Sequence, residues 1–205
     1  MLIPSSNQEA INKTCAIIHR DLQIVNFLRT KVKSIFEIGC DAGHLIGLSE
    51  YYGIFSFGVD IDKKAIKSCL LNGINASYAD MTILIDPSSR SPYYERLHNL
   101  AIQHELIAFL NFSHVDWHEE SIHKRRLFSY STNNFKYILC SMYDNQVQQF
   151  EQIYGTKLLH SFSNWRTQFN REDNISVQYQ NKFSTCCLET YLNLQKLFIV
   201  DAHIG

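Results

Sequence analysis

Apolar residues recur along the chain either at the helical spacing of three to four positions or in short strand-like runs, and segments of the two kinds alternate. Over residues 6–30 apolar side chains lie three to four positions apart, which predicts an amphipathic helix. Short runs of β-forming residues then alternate with further helical spacings. The predicted strands are 34–38, 55–59, 76–79, 106–112, 135–142, 175–179 and 197–200, and the predicted helices between them are 44–52, 63–72, 118–130 and one ending at Gly155. Residues 156–174 and 183–195 show neither spacing clearly.

The alternation of strand and helix is typical of a parallel sheet with helices on its faces. The run 106–112 is apolar almost throughout, as expected for a strand buried on both faces. We therefore predict an α/β fold, a Rossmann-like, doubly wound, mostly parallel sheet with helices on both faces. The 205 residues fit one domain over 1–205, with an N-terminal helical extension over 1–32.

Composition and charge narrow the class of protein. Hydrophobic residues make up 45% of the chain, enough for a core, and 19 Lys and Arg nearly balance 20 Asp and Glu. The net charge of −1 gives no general attraction to nucleic acid or to an anionic membrane. No apolar run reaches the length of a membrane-spanning helix. None of the six cysteines forms a CxxC pair, which favours a reduced, cytoplasmic protein.

Glycines concentrate in one part of the chain, since six of the eight fall between residues 39 and 73. Glycine lets the backbone turn sharply or approach a ligand closely. Residues 37–43 read Glu-Ile-Gly-Cys-Asp-Ala-Gly, end the first predicted strand and open a helix. Such a turn exposes backbone N–H groups and the positive end of a helix dipole. Residues 33–82 are therefore the candidate ligand-binding region.

Two acidic residues follow the next two predicted strands. Asp60 comes about twenty residues after the glycine-rich turn and can accept hydrogen bonds from both hydroxyls of a ribose. Asp80 follows the third predicted strand. Because open α/β sheets bind ligands at the carboxyl ends of their strands, the turn and both carboxylates are expected at one edge.

These three segments resemble the motifs of the class I S-adenosylmethionine-dependent methyltransferases. The family's first motif, acidic-x-Gly-Cys-Gly-x-Gly, stands at 37–43 with Asp41 in place of the middle glycine. The second, Gly-Val-Asp-Ile-Asp, stands at 58–62, and the third, Ala-Asp, at 79–80. The resemblance implies S-adenosylmethionine as the cofactor. It implies these cofactor-binding residues: Glu37, Gly39, Cys40, Gly43, Asp60, Ile61, Asp80, Met81 and Asn111.

The resemblance also implies a role for each part of the site. Glu37 and the glycine-rich turn would hold the methionine moiety, and Asp60 would bind the ribose. Ile61 would pack on the adenine, whose amino group would donate to Asp80, with Met81 beside it. The reaction would be methylation of a small molecule or of a terminal group on a glycan or lipid-linked acceptor.

Asp41 leaves an alternative function open. A side chain at this turn narrows the pocket, and its carboxylate can repel that of the cofactor. The substitution favours a methyltransferase-like domain that binds the cofactor or a partner without catalysis. Glycines and acids at strand ends also serve as simple turn formers and helix caps in α/β proteins.

Other nucleotide-binding motifs fit the turn less well. A dinucleotide fingerprint needs glycine at i, i+2 and i+5, and this chain has Gly39, Asp41 and His44 there. The Gly-Lys-Ser/Thr ending of a phosphate-binding P-loop is absent from the sequence. A P-loop is therefore excluded, and a dinucleotide dehydrogenase, the nearest chemical rival, fails at two of the three fingerprint positions.

The catalytic candidate follows the fourth predicted strand. Methyl transfer is an in-line displacement that needs an aligned and, for a hydroxyl, deprotonated nucleophile. Residues 111–114 read Asn-Phe-Ser-His, similar to a segment of many small-molecule methyltransferases. His114 is the predicted base or substrate contact, because histidine titrates in the useful range. A loop-capping role for His114 is the alternative.

Metal-binding patterns in the sequence are weak. His114 and His118 have a zinc spacing only if both lie on one helix, whereas a strand-to-loop transition is predicted there. Asp144-Asn145 follows the fifth strand as in magnesium-dependent O-methyltransferases, but such a pair typically forms a turn. We therefore predict no metal. Residues 83–105, with many polar side chains, are expected to form a lid or a substrate wall.

Overall fold

A computed structural model of the chain describes residues 21–86, 92–109, 122–142, 151–153, 157–162 and 196–201. The strands are β1 (Ser34–Ile38), β2 (Phe55–Asp60), β3 (Ala76–Tyr78), β4 (Leu106–Phe109), β5 (Tyr137–Met142), β6 (Lys157–Phe162) and β7 (Lys196–Asp201). The helices are α1 (21–28), α2 (His44–Tyr51), α3 (Lys63–Leu71), α4 (Thr82–Ile85), α5 (Pro92–Ala101) and α6 (Ile122–Asn134). Within these ranges no helix has the length and apolar character that crossing a bilayer requires.

The seven strands form one sheet in the order β3-β2-β1-β4-β5-β7-β6. β1 to β5 run parallel, whereas β7 pairs antiparallel with both β5 and β6. This arrangement confirms the predicted doubly wound, mostly parallel sheet. The chain order reverses between β1 and β4, and ligand-binding crevices form at the carboxyl ends of strands at such a point. The ends of β1, β2 and β3 form one side of that crevice.

Helices pack on both faces of the sheet, as predicted. Alternate side chains of β1 enter opposite cores, because successive residues of a strand face opposite ways. Phe36 and Ile38 pack in a core with residues of α4, α5 and α6, while Ile35 packs in a core with residues of α1 and α2. Ile66 and Cys69 place α3 in a third cluster on Ile46 of α2. Every residue of β1 and β4 is buried, as expected for central parallel strands.

The prediction of a helix over 118–130 is wrong at its C-terminal end, because α6 continues to Asn134. Polar side chains in its last turn donate to carbonyls one turn back. The Ser131 hydroxyl donates to the Leu127 carbonyl at 2.7 Å, and the Asn134 amide donates to the Tyr130 carbonyl at 2.8 Å. Residues of these types are usually unfavourable inside a helix, and here their side chains bond to carbonyls of the helix itself.

The segment 83–105, predicted as a lid or substrate wall, contains most of α4 and all of α5. The side chains of Leu84, Ile85, Leu97 and Ala101 are buried in the core shared with the sheet. A lid must leave its closed position without disrupting the core, which these buried side chains prevent. This burial favours a substrate wall over a lid for these two helices, and the interpretation itself stays a prediction.

The C-terminal strands were predicted less completely. β7 confirms the predicted strand 197–200, but the pattern did not give its antiparallel direction. β6 lies entirely within residues 156–174, for which no element was predicted. The predicted strand 175–179 lies outside the described residues. Of the predicted helix ending at Gly155, residues 151–153 are described, and they are helical.

His104 is a buried titratable residue between α5 and β4. Its ring stacks on Phe55 with 5.1 Å between centroids, and Nδ1 donates to the Leu100 carbonyl at 3.0 Å. Since a carbonyl only accepts, Nε2 carries the lone pair, and among the described residues it has no hydrogen-bond partner. Burial lowers the pKa of His104, although hydrogen bonds to the Leu100 and Ala101 carbonyls oppose this effect.

We expect the stability of the fold to decrease in mild acid because of His104. The folded protein binds this proton more weakly than the unfolded chain, so the free energy of unfolding should fall as the pH drops below about 6.5. One such group gives a slope of at most about 1.4 kcal/mol per pH unit. Urea unfolding at several pH values should show that the free energy of unfolding changes less with pH in His104→Gln than in the unchanged protein, because glutamine cannot titrate. An equal slope in both proteins would contradict this assignment.

Candidate functional site

The glycine-rich turn lies between β1 and α2, at the carboxyl edge of the sheet. Gly39, Asp41 and Gly43 have positive φ angles of 71°, 47° and 73°, which produce its sharp bend. The N–H groups of Gly39 and Cys40 both donate to the Val59 carbonyl of β2, at 2.8 and 3.1 Å. The turn is therefore anchored to the neighbouring strand.

Asp60, the last residue of β2, connects two turns. Its Oδ2 accepts from the Asp41 N–H at 2.8 Å, and its Oδ1 accepts from the Asp62 N–H at 2.8 Å. One carboxylate thus holds the β1–α2 turn and the β2–α3 turn together. Each carboxylate oxygen has a second lone pair, so the half-buried Asp60 can still accept hydrogen bonds from a ligand.

Asp80 lies on the same edge, two residues after the end of β3. Its Oδ1 accepts two hydrogen bonds from Thr82, one from the backbone N–H at 2.9 Å and one from the hydroxyl at 2.7 Å. The Ala79 N–H donates to the Asp60 carbonyl at 3.0 Å, which ties the end of β3 to the end of β2. The structure therefore places Asp60 and Asp80 at the ends of two paired strands, beside the turn.

Glu37, in β1 just before the turn, and Cys40, within the turn, are both buried. Glu37 is in register with Gly58 of β2 and Ala108 of β4, at the centre of the sheet. The Cys40 sulfur would be 2.7 Å from a Cβ added to Gly58, so its side chain packs against β2. Burial and the nearby Glu37 carboxylate raise the pKa of the Cys40 thiol, which stays protonated.

Cys69 of α3 supports the turn from below, a role that the sequence did not reveal. Its thiol donates to the Asp41 carbonyl at 3.3 Å, across 28 residues of sequence. Its sulfur would be 3.0 Å from a Cβ added to Gly43, so α3 can approach the turn this closely because Gly43 has no side chain. Helical spacing marks Cys69 as a core residue, but no local pattern indicates its contact with a distant turn.

The remaining predicted site residues divide into two groups. Ile61 is 62% exposed at the edge, next to Asp60, and Met81 is half-buried against the core beside Asp80. Asn111 and His114 lie outside the described residues, as do His118 and the Asp144-Asn145 pair. In the part of the chain that the structure describes, no three His, Cys, Asp or Glu side chains are grouped to hold a metal ion.

Asp41 is strained at the apex of the turn. Among the described residues it is the one non-glycine with a positive φ, a conformation that disfavours a side chain by roughly 1–2 kcal/mol, less for Asp. We expect Asp41→Gly to raise the free energy of unfolding by up to about 1 kcal/mol, measured in urea. Asp41→Asn, which removes the charge but tolerates this φ, should change stability little. Destabilisation by glycine would show that the Asp41 side chain itself supports the turn.

Comparison with known proteins gives a match in fold only. No family model matches the sequence, and no curated protein matches it. Magnesium protoporphyrin IX methyltransferase (ChlM) from Synechocystis PCC 6803 with bound SAH aligns at TM-score 0.61 and 9% identity, covering 98% of this chain and 89% of that one. A Pyrococcus horikoshii protein provisionally described as an RNA methyltransferase aligns at TM-score 0.54 and 10% identity, covering 89% and 82%. The methyltransferase domain of bacterial CtHen1 aligns at TM-score 0.54 and 10% identity, covering 91% and 99%.

All three structural neighbours are described as methyltransferases, the Pyrococcus horikoshii protein provisionally, and the Synechocystis enzyme has SAH bound. At identities of 9–10% the likeness shows the fold alone, and the three alignments cover 89–98% of this chain. The neighbours are named for acceptors as different as an RNA and a porphyrin. The shared fold therefore does not indicate an acceptor.

Proposed function

We propose that this protein binds S-adenosylmethionine and transfers its methyl group to an acceptor. The observation that carries the proposal is the Asp60 carboxylate, which joins the glycine-rich turn to the end of β2. It does so at the crevice edge of a fold shared with a methyltransferase that has SAH bound. Asp60 can accept from both ribose hydroxyls through the second lone pair of each oxygen.

The methionine moiety would lie on the turn. The left-handed residues Gly39 and Gly43 bring bare backbone to the edge, and α2 begins there at His44. Backbone N–H groups at a helix start attract a carboxylate. Glu37, in the strand beneath, supplies the negative charge that would attract the ammonium group. Cys40 would contribute its backbone, since its side chain packs inward.

The adenine would lie between β2 and β3. Ile61 is exposed there and offers an aliphatic surface to the ring, and Asp80 would accept from the adenine amino group. Met81 would contact the base from beside Asp80, and Asn111 would complete the site from the chain that follows β4. The carboxylates of Asp60 and Asp80 also favour the positively charged sulfonium over the neutral thioether product.

The methyl acceptor would be a small molecule or a terminal group of a glycan or lipid-linked molecule. When bound, the cofactor supplies an electrophilic methyl group, and the chain must align an acceptor atom with it. His114 would take the proton of an acceptor hydroxyl or hold the acceptor in place. We expect His114→Ala to lower turnover about 100-fold or more without changing the affinity for the cofactor.

Calorimetric titration with S-adenosylmethionine and S-adenosylhomocysteine tests the proposal. Saturable binding of both supports it, and no binding at millimolar concentrations overturns it. Transfer of a labelled methyl group into fractionated small-molecule extracts then separates an enzyme from a non-catalytic binding domain. Tight binding without transfer to any fraction would favour the second candidate function, a non-catalytic binding domain. The presence of Asp41 at a left-handed position of the turn also favours this candidate.

A further inference from the structure

We infer that the edge of the sheet opposite the proposed cofactor site binds a single-stranded nucleic acid. The parallel strands begin at this edge, and its basic and aromatic side chains have no part in the proposed function. The amino-edge surface is formed by these exposed residues: Arg29, Lys31, Lys33, Tyr51, Phe55 and Lys136. The inference goes beyond the proposed function and does not depend on cofactor binding.

The amino-edge surface is continuous, because hydrogen bonds join its residues across four neighbouring strands. The N–H of Phe55, the first residue of β2, donates to the carbonyl of Lys33, just before β1, at 2.9 Å. The Lys33 N–H donates to the Glu105 carboxylate at 2.7 Å, and the Lys136 N–H donates to the Glu105 carbonyl at 2.9 Å. Since β2, β1, β4 and β5 are adjacent, at about 4.8 Å per strand, this row spans roughly 14 Å.

The basic side chains of this surface lack acidic partners. Within the part of the chain that the structure describes, no carboxylate forms an ion pair with any of the four. Glu105 and Glu50 also lie at this edge, but Glu105 accepts from a backbone N–H and Glu50 accepts from the Asn75 amide. Lys157 and Asp201, in register at the ends of β6 and β7, add one charge of each sign. The four cations therefore remain available to phosphate groups.

Aromatic rings lie among these cations. Three cations lie over a ring, at these distances from its centroid: Arg29 over Tyr52 at 5.9 Å, Lys31 over Phe27 at 5.0 Å and Lys136 over Tyr137 at 5.1 Å. A cation over a ring keeps its charge, whereas a salt bridge would neutralise it. Tyr51 is 83% exposed, and Phe55 is 55% exposed although its ring stacks on His104. The surface thus offers exposed rings beside unneutralised charges.

The net charge of −1 conceals a separation of charge between the two edges of the sheet. Lys63 and Lys64 are outnumbered at the carboxyl edge by the carboxylates of Glu37, Asp41, Asp60, Asp62 and Asp80. A chain of phosphates is therefore repelled at that edge and attracted at the other. The five residues of β1 separate the edges by roughly 17 Å, so the nucleic acid would lie away from the proposed cofactor.

Single-stranded nucleic acid fits this surface better than other anionic partners do. Its phosphates pair with the cations, and every base has a π-face that stacks on an aromatic ring. An acidic peptide would pair with the cations but leave the rings of Tyr51 and Phe55 in water. An anionic membrane needs an apolar face that enters the lipid, whereas charged side chains lie between these rings. In a duplex the bases stack on one another and are not available to the rings.

Fluorescence anisotropy with a labelled oligouridine of about 12 nucleotides tests the inference, because this RNA has little structure of its own. We expect saturable binding with a Kd of roughly 100 μM or tighter at about 50 mM salt. If each of the four cations contacts a phosphate, the slope of log affinity against log salt should be about −3. The affinity should then fall about 50-fold when the salt is raised to about 200 mM.

The contribution of charge is tested by combining Lys33→Gln with Lys136→Gln. Removing two of the four phosphate contacts should reduce the salt slope to about half its value. Lys64→Gln combined with Lys67→Gln is the matched control, because it makes the same change in net charge at two exposed positions of α3. This control should keep the slope of the unchanged protein.

The contribution of stacking is tested at Tyr51. Tyr51→Leu keeps an apolar side chain and removes the ring, so the affinity should fall about tenfold while the salt slope stays the same. Tyr51→Phe keeps the ring and should keep the affinity. Because Tyr51 is so exposed, both variants should have the unfolding midpoint of the unchanged protein in urea.

Several results would overturn the inference. One is the absence of saturable oligouridine binding at low salt. Equal slopes in the two double variants would show attraction by net charge alone, and full affinity in Tyr51→Leu would show that no base stacks there. Tighter binding to phosphatidylserine vesicles or to polyglutamate would assign the surface to a membrane or to an acidic peptide. Displacement of oligouridine by S-adenosylhomocysteine would place the RNA at the carboxyl edge, whereas failure to bind S-adenosylhomocysteine would contradict only the proposed function.

Discussion

Replacing Asp60 with asparagine is expected to lower the affinity for S-adenosylmethionine about 100-fold or more. The carboxylate accepts from the N–H groups of Asp41 and Asp62 at 2.8 Å each. Asparagine has a single oxygen, so its NH₂ group must face one of these N–H donors and one of the two ribose hydroxyls. Both bonds to the ribose hydroxyls then lose their charge assistance and one hydroxyl must reorient to accept from the NH₂ group, which costs about 3 kcal/mol and corresponds to that factor. The free energy of unfolding should also fall, by about 1–3 kcal/mol.

Asp62→Asn is the matched control for Asp60→Asn. It removes the same charge two residues away, and Asp62 caps α3 by accepting from the Lys64 N–H at 2.8 Å. Asparagine caps helices about as well as aspartate, so stability and cofactor affinity should change little. Calorimetry gives the affinities, and urea unfolding gives the stabilities. Equal losses of affinity in the two variants would show that net charge, not the position of Asp60, attracts the cofactor.

Gly43→Ala is expected to abolish cofactor binding and to destabilise the fold by about 2–4 kcal/mol. The φ angle of Gly43 is 73°, and an added Cβ would lie 2.9 Å from a methyl carbon of Ile74 and 3.0 Å from the Cys69 sulfur. Both neighbours are parts of the packing beneath the turn, so relief requires the turn itself to move. Urea unfolding and calorimetry measure the two losses.

Gly73→Ala isolates the contribution of backbone conformation. Its φ angle is 70°, nearly that of Gly43, but an added Cβ would meet nothing within 4 Å. This variant should lose only the cost of a left-handed alanine, roughly 1–2 kcal/mol, and should bind the cofactor normally. If Gly43→Ala proved no more destabilising than Gly73→Ala, close packing of the turn against α3 would be refuted.

The parts of the fold with strong local signals were predicted well from the sequence. β1 has the predicted bounds, and α3 begins where Asp62 caps it. Gly73 follows α3 with a positive φ, as expected of a residue that ends a helix. These signals are local, because each depends on neighbouring residues in the sequence. α6 is the exception, since it continues to Asn134 through Ser131, a residue type that is usually unfavourable inside a helix.

The candidate site was predicted in outline by topology. Once β1, β2 and β3 are parallel neighbours, the glycine-rich turn must meet Asp60 and Asp80 at one edge. The bonds themselves were beyond the sequence pattern, because they join atoms that only tertiary structure brings together. The Cys69 thiol on the Asp41 carbonyl and the antiparallel placement of β7 are of this kind.

The double use of Asp60 has a consequence for how related chains can be interpreted. A related chain that did not bind the proposed cofactor would still need this carboxylate to keep two backbone turns in place. Its persistence through evolution would then record a requirement of folding as much as one of catalysis. Retained activity is better diagnosed from a side chain that does not hold the backbone in place, and the exposed Ile61 side chain is of this kind.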